Sequence, residues 1–100
     1  MKDSRFKERV AYASSFISFI IPKIDAEEII LFGSASRGEA DEQSDIDLFI
    51  NIKNNEKEVK IKANKALEDF YKSTISAQWK IKGISNQIKI EIGNLDSWKL

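Results

Sequence analysis

The chain contains no cysteine and no histidine. The absence of cysteine excludes disulfide frameworks, thiolate zinc sites and cysteine nucleophiles. The absence of histidine excludes an imidazole base, a Ser-His-Asp triad and a His-ligated metal. Any metal chemistry must therefore use carboxylate oxygens and a hard cation such as Mg²⁺.

The chain also lacks a net charge, because 16 basic residues balance 16 acidic ones. A neutral chain has no overall attraction for nucleic acid or anionic lipid, and the sequence therefore disfavours nucleic acid as a partner. Four lysines between residues 57 and 65 are interspersed with Glu56, Glu58 and Glu68, as on a solvated helix face. The longest apolar stretch, residues 11–21, is too short to cross a bilayer, so no membrane partner and a cytoplasmic location are expected.

One α+β domain spanning residues 1–100 is expected from the length, from 42% hydrophobic residues and from the alternation of element types. Apolar residues at helical spacing predict a first helix that ends at Pro22. Its predicted core stripe is Phe6, Val10, Ala13, Ile17 and Ile20. A second helix is predicted after Asn54-Asn55, the candidate N-caps. Its predicted core stripe is Val59, Ala63, Ala66, Leu67 and Phe70.

Four strands are predicted. The unbroken apolar run 29–32 is typical of a strand buried on both faces. Residues 45–52 alternate, with Ile46, Leu48, Ile50 and Ile52 on one face and Asp45, Asp47, Phe49 and Asn51 on the other. Segments around 79–81 and 88–92 predict a terminal hairpin, and residues 95–100 have no predicted place.

A glycine-serine turn follows the first strand. Gly33 lets a ligand approach the backbone, and the N–H groups of the short helix expected after Ser34 would form an anion site. The Ser34 hydroxyl adds a donor for a phosphate oxygen, although an ordinary N-cap serine has the same pattern. Arg37 has two open interpretations, a phosphate contact or an ion pair with the acidic residues 39–42, and Gly38 ends the turn.

Ten residues separate Ser34 from Asp45, and Asp45 and Asp47 leave one face of a strand. With Cα atoms about 6.5 Å apart, the two carboxylates repel each other unless a cation lies between them. An isolated pair of this kind is most simply a charged edge. Next to a phosphate-binding turn, the pair instead favours Mg²⁺ and a nucleoside triphosphate in a two-metal site.

The stretch from Gly33-Ser34 to Asp45-Ile46-Asp47 resembles the signature of the DNA polymerase beta-like nucleotidyltransferase superfamily, especially its small prokaryotic minimal nucleotidyltransferases. The resemblance implies a palm-like mixed sheet of about four strands with helices on one face. It also implies that the turn binds the nucleotide and that the aspartates bind Mg²⁺. The family's third carboxylate comes from a later strand, for which Glu91 is the candidate and Glu68 and Asp96 are reserves.

The activity implied by this resemblance is transfer of a nucleoside monophosphate, AMP from ATP, to an acceptor hydroxyl. The acceptor that the resemblance suggests is a tyrosine of a partner HEPN-type toxin. Two alternatives stay open: a catalytically weak nucleotide- or partner-binding antitoxin module, and a subunit of a larger nucleotidyltransferase acting on RNA or on a small molecule. Trp79, Trp98 and Tyr71 are interpreted as core or interface residues rather than as a platform for the base.

Overall fold

A computed structural model describes residues 4–95 of the chain. Its elements, in chain order, are α1 (Ser4–Ile20), a single 3-10 turn (Ile21–Lys23), β1 (Glu28–Phe32), β2 (Ile46–Asn51), α2 (Glu56–Tyr71), α3 (Thr74–Ile81) and β3 (Ile88–Gly93). None of the described helices is long and apolar enough to span a membrane.

The sheet is mixed and has the order β1-β2-β3. β1 pairs antiparallel with β2, whereas β3 pairs parallel with β2. The parallel pairing requires a crossover, which α2 and α3 provide. The predicted α+β class is therefore confirmed, with three strands in the described part of the chain instead of about four.

Strand β2 alternates as predicted, with aliphatic side chains on one face and Asp47, Phe49 and Asn51 on the other, where Phe49 is only 5% exposed. Leu48 and Ile50 are fully buried under the helices, and their neighbours on β1 and β3 are partly buried against the same core. The register places Phe32, Asp47 and Lys89 in one row across the opposite face, and Ile30, Phe49 and Glu91 in the next. This opposite face, which carries no helix from the described residues, is called the open face below.

The core between the sheet and the helices is centred on Phe70 of α2. The rings of Tyr12 and Phe16 on α1 lie 6.0 Å and 5.1 Å from the Phe70 ring. The buried stripe of α1 thus runs through Tyr12, Ala13, Phe16 and Ile20, while the predicted stripe residues Val10 and Ile17 are only half-buried. Aromatic packing on Phe70 rotates the helix toward its larger side chains.

The predicted terminal hairpin is wrong, because residues 74–81 form α3. The Ser73 hydroxyl caps this helix by accepting a hydrogen bond from the Ser76 N–H. Trp79 packs edge-on against Tyr12 and donates its indole N–H to Ser15. Trp79 is therefore an interface residue between α1 and α3, as expected.

Strand β1 is also less buried than its apolar run predicts. Its end residues Glu28 and Phe32 are exposed and its three middle residues are half-buried. Among the described strands β1 pairs only with β2, so it lies at an edge of the sheet. The unbroken apolar run of β1 therefore indicates an edge strand with both faces partly covered, rather than a central strand.

Candidate functional site

The glycine-serine turn is a single helical turn closed by a Schellman motif. The Glu39 N–H donates to the Ser34 carbonyl and the Gly38 N–H donates to the Ala35 carbonyl. Gly38 has a φ of 68°, the left-handed conformation that this motif requires at its glycine. The short helix predicted after Ser34 therefore does not extend beyond one turn, and Gly38 has the backbone role that was expected.

Gly33 lies directly against the Asp47 side chain. A Cβ atom at position 33 would lie 2.6 Å from Asp47 Oδ2, and the φ of Gly33 is 74°. Phe32, the residue before Gly33, is the register partner of Asp47. The second aspartate therefore faces the turn, and a Cβ atom at position 33 would force its carboxylate to move.

The turn presents several unpaired donors. Within residues 4–95, the backbone N–H groups of Ser34, Ala35 and Ser36 and the Ser34 hydroxyl have no hydrogen-bond acceptor. Ala35 is fully buried and anchors the turn to the core. Such N–H groups attract an anion, since they carry the partial positive charge of a helix start. An anion-binding turn and a carboxylate thus lie side by side.

Asp45 lies one residue before β2 and forms an ion pair with Lys89 of β3. The distance from Lys89 Nζ to Asp45 Oδ2 is 3.1 Å, and the two side chains are 64% and 40% exposed. The hydrogen bond to Asp45, together with the charges of Asp45 and Asp47, raises the pKa of Lys89. Lys89 therefore pairs with Asp45 and lies beside Asp47 on the neighbouring strand.

Glu91 is not brought together with the aspartates. In the parallel register Glu91 lies beside Phe49, whereas Asp47 lies beside Lys89. Two residues along one strand and one strand across separate the Cα atoms of Glu91 and Asp47 by about 8 Å. Glu91 is on the open face, as predicted, but no group of three or more acidic side chains in residues 4–95 lies close enough to hold a metal ion. The predicted three-carboxylate cluster is thus not formed.

The two reserve carboxylates do not complete the cluster. Glu68 is exposed on α2, in the helical layer that covers the other face of the sheet. Asp96 lies outside the described residues, as do Trp98 and the segment 96–100.

Arg37 forms an ion pair with Glu39 at 2.7 Å, and both side chains are more than half exposed. An exposed pair of this kind is weak and readily exchanged for a stronger partner such as a phosphate. In the absence of ligand, Arg37 thus has the second of its two predicted roles.

A buried polar cluster that the sequence did not reveal holds the loop before Asp45. The Asn86 side chain donates 2.7 Å hydrogen bonds to the carbonyls of Asp41 and Ser44 and accepts one from Arg9 Nε. Tyr12 donates its hydroxyl to the Asn86 carbonyl, and burial raises the pKa of Tyr12 to about 12. No local sequence pattern indicates this role of Asn86, since its partners lie more than 40 residues away.

Tyr71 holds the first residue of β3. The half-buried Tyr71 hydroxyl accepts a hydrogen bond from the Ile88 N–H, one residue before Lys89. Burial raises the pKa of Tyr71, and the charge of Asp45 raises it further. Tyr71 thus positions the strand that carries Lys89 and is not a platform for a base.

One segment of the chain, which contains the turn, both aspartates and β3, matches a known protein family. A family model described as a nucleotidyltransferase domain matches residues 14–97. The chain belongs to the nucleotidyltransferase family. No curated relative and no solved structure matched the chain. Membership confirms the resemblance to the polymerase beta-like nucleotidyltransferase superfamily, while the minimal subtype stays a prediction.

The aspartates of this nucleotidyltransferase domain have the chemistry that Mg²⁺ requires. Mg²⁺ is commonly held by one or two carboxylates together with substrate phosphates and waters. Asp45 and Asp47 supply two carboxylates, and the charges of both act on Lys89. Because residue 33 is glycine, the Asp47 carboxylate has space beside the turn. The residues present therefore fit one divalent cation bound together with a nucleotide.

Proposed function

We propose that this nucleotidyltransferase domain transfers AMP from ATP to an acceptor hydroxyl and uses Mg²⁺ held by Asp45 and Asp47. The observation that carries the proposal is the contact between the Asp47 carboxylate and the Gly33 turn. It supports a site in which phosphate oxygens bind the turn while the carboxylate holds their counterion. Bound there, Mg²⁺ neutralises phosphate charge and makes pyrophosphate a better leaving group.

The residues of the chain then bind and orient the nucleotide. The free N–H groups after Gly33 and the Ser34 hydroxyl donate to phosphate oxygens. Arg37 leaves Glu39 for a phosphate, with which its planar guanidinium forms paired hydrogen bonds. These contacts fix the α-phosphate opposite the incoming hydroxyl, which is the main requirement of phosphoryl transfer.

In the transfer step, the acceptor oxygen forms a bond to the α-phosphorus. The bond from that phosphorus to the bridging oxygen breaks, and pyrophosphate leaves with the electron pair. The hydroxyl proton passes to solvent. Positioning and charge neutralisation are sufficient for this chemistry, so the absence of cysteine and histidine is no obstacle.

We propose that the acceptor is a tyrosine hydroxyl of a partner HEPN-type toxin and that the reaction takes place in the cytoplasm. An acceptor hydroxyl carried by a partner protein brings its own binding surface to the site. The open face, with Phe32 exposed beside Asp47, leaves room for such a surface.

The test is label transfer from ATP carrying its label on the α-phosphate, with Mg²⁺ and the HEPN-type protein encoded beside this chain. We expect label on the partner's tyrosine and none from ATP labelled at the γ-phosphate. Asp47→Asn is expected to reduce transfer by at least about 100-fold, because it removes charge at the reacting phosphates. The matched control is Asp25→Asn, at an exposed position outside the turn and the open face, which should leave transfer unchanged.

The second candidate function is a partner-binding antitoxin module with weak catalysis. The specific observation in its favour is Lys89, a cation, at the register position beside Asp47. A stable complex with the HEPN-type protein but no label would support this module and contradict the transferase. Label from the γ-phosphate instead of the α-phosphate would contradict both.

A further inference from the structure

Lys89 occupies the position from which a neighbouring strand could supply a further metal ligand. It is the direct register partner of Asp47, and its ammonium lies 3.1 Å from Asp45 Oδ2. The lysine thus faces both aspartates from β3. No other described residue of β3 is paired with an aspartate of β2.

A second divalent cation has too few ligands at this site. Two-metal sites place their ions about 3.5–4 Å apart and share carboxylates between them. Here two aspartates are the whole acidic set, since no third acidic side chain in residues 4–95 joins them. Glu91 lies beside Phe49, and the Asp41 carboxylate accepts hydrogen bonds from Gln43 and Ser44 within its own loop.

The net charge at the site also disfavours a second divalent cation. The two aspartates and Lys89 together carry one net negative charge, so Lys89 halves the negative charge that the two carboxylates offer to cations. A second cation would have to lie next to the Lys89 ammonium, which repels it. The side chain of Lys89 is 64% exposed, so it can turn from Asp45 toward a phosphate oxygen when the first ion binds.

We infer that the site holds one divalent cation per chain. Lys89 occupies the position of the third carboxylate, and its ammonium group replaces the second cation. The inference rests on the proposed function and replaces the two-metal arrangement that the sequence suggests. It explains how two carboxylates suffice for nucleotide binding in this chain. It also makes Lys89 a residue that determines how many metal ions the site takes.

The test counts Mn²⁺ bound in the presence of a non-hydrolysable ATP analogue. After ultrafiltration, the metal retained with the protein is compared with the metal in the filtrate. We expect one Mn²⁺ per chain for the unchanged protein. Lys89→Glu and Lys89→Asp place a carboxylate beside Asp47, and we expect two Mn²⁺ per chain for at least one of these variants.

The matched control is Lys60→Glu, which makes the same charge change at an exposed position on α2. We expect it to retain one Mn²⁺ per chain. Two ions on the unchanged protein, or one ion on both Lys89 variants, would overturn the inference and leave the proposed function intact. No retained Mn²⁺ on the unchanged protein would overturn the proposed function itself, and the inference with it. Thermal melts of all variants verify that each one is folded.

Discussion

Gly33→Ala is expected to abolish Mg²⁺-dependent ATP binding in a protein that still folds. A methyl group at position 33 would lie 2.6 Å from Asp47 Oδ2, a distance at which either the carboxylate or the turn has to move. Because the turn proposed to bind phosphate and the carboxylate proposed to bind the metal meet at this contact, moving either one separates them. We expect a loss of ATP affinity of at least about 100-fold, in line with the cost of misplaced groups in reactive sites.

Gly83→Ala is the matched control for this prediction. Gly83 has a φ of 83°, close to the 74° of Gly33, but no atom lies within 4 Å of the position of its Cβ. Both variants are expected to lose about 1–2 kcal/mol of stability from the left-handed backbone. Only Gly33→Ala should lose ATP affinity, as measured by calorimetric titration with Mg²⁺. Equal affinities for the two variants would show that the contact between Gly33 and Asp47 has no role in binding.

Asn86→Ala is expected to lower the free energy of unfolding by about 3 kcal/mol, the sum of two ordinary hydrogen bonds and one to a cation. Asn86 is 5% exposed and connects Arg9 of α1 to the loop that ends at Asp45. In a domain of this size, that loss corresponds to a decrease in melting temperature of about 15 °C. Urea denaturation followed by circular dichroism measures the change directly.

Asn64→Ala is the control for Asn86, since Asn64 is exposed in the middle of α2. Its effect is expected to stay within about 0.5 kcal/mol, as for most surface substitutions. Because the Asn86 side chain holds the loop before Asp45, Asn86→Ala should also weaken Mg²⁺-ATP binding by about tenfold in the fraction that remains folded. If Asn86→Ala were as stable as Asn64→Ala, the buried cluster would not hold the loop.

The central part of the site could be predicted from the sequence, because its signals are local. Alternation with period two is a property of consecutive residues, so it placed Asp45 and Asp47 on the face opposite the isoleucines. The glycines of the turn are also local signals, since Gly33 and Gly38 both require left-handed backbone. A Schellman motif at Gly38 was recognisable in principle from its spacing after Ser34.

The terminal hairpin was predicted from a short sequence pattern, but tertiary contacts favour a helix in the first part of this segment. Trp79-Lys80-Ile81 alternates like a strand, but three residues cannot distinguish a strand from a helix. The helix is favoured by the Ser73 cap, which the sequence contains, and by contacts of Trp79 with α1, 64 residues away. Gly83 ends the helix in a second Schellman motif, in which the Ile84 N–H donates to the Trp79 carbonyl.

The position of Glu91 depended on register, which a single strand does not specify. Alternation correctly places both Lys89 and Glu91 on the open face, because they are two residues apart. Which of them lies beside Asp47 depends on the pairing of β3 with β2, which joins residues far apart in the chain. A shift of two residues in this pairing would keep every side chain on its face. It would place the Glu91 carboxylate, instead of the Lys89 ammonium, beside Asp47.

The contact of the Asp47 carboxylate with the turn can be tested most directly by a calorimetric titration of ATP with Mg²⁺ and with a chelator. The account predicts that Mg²⁺ raises ATP affinity by at least about tenfold, the effect of one added cation between carboxylate and phosphates. It also predicts that this gain disappears in Asp47→Asn. Equal affinity with and without Mg²⁺, unchanged in Asp47→Asn, would contradict the site.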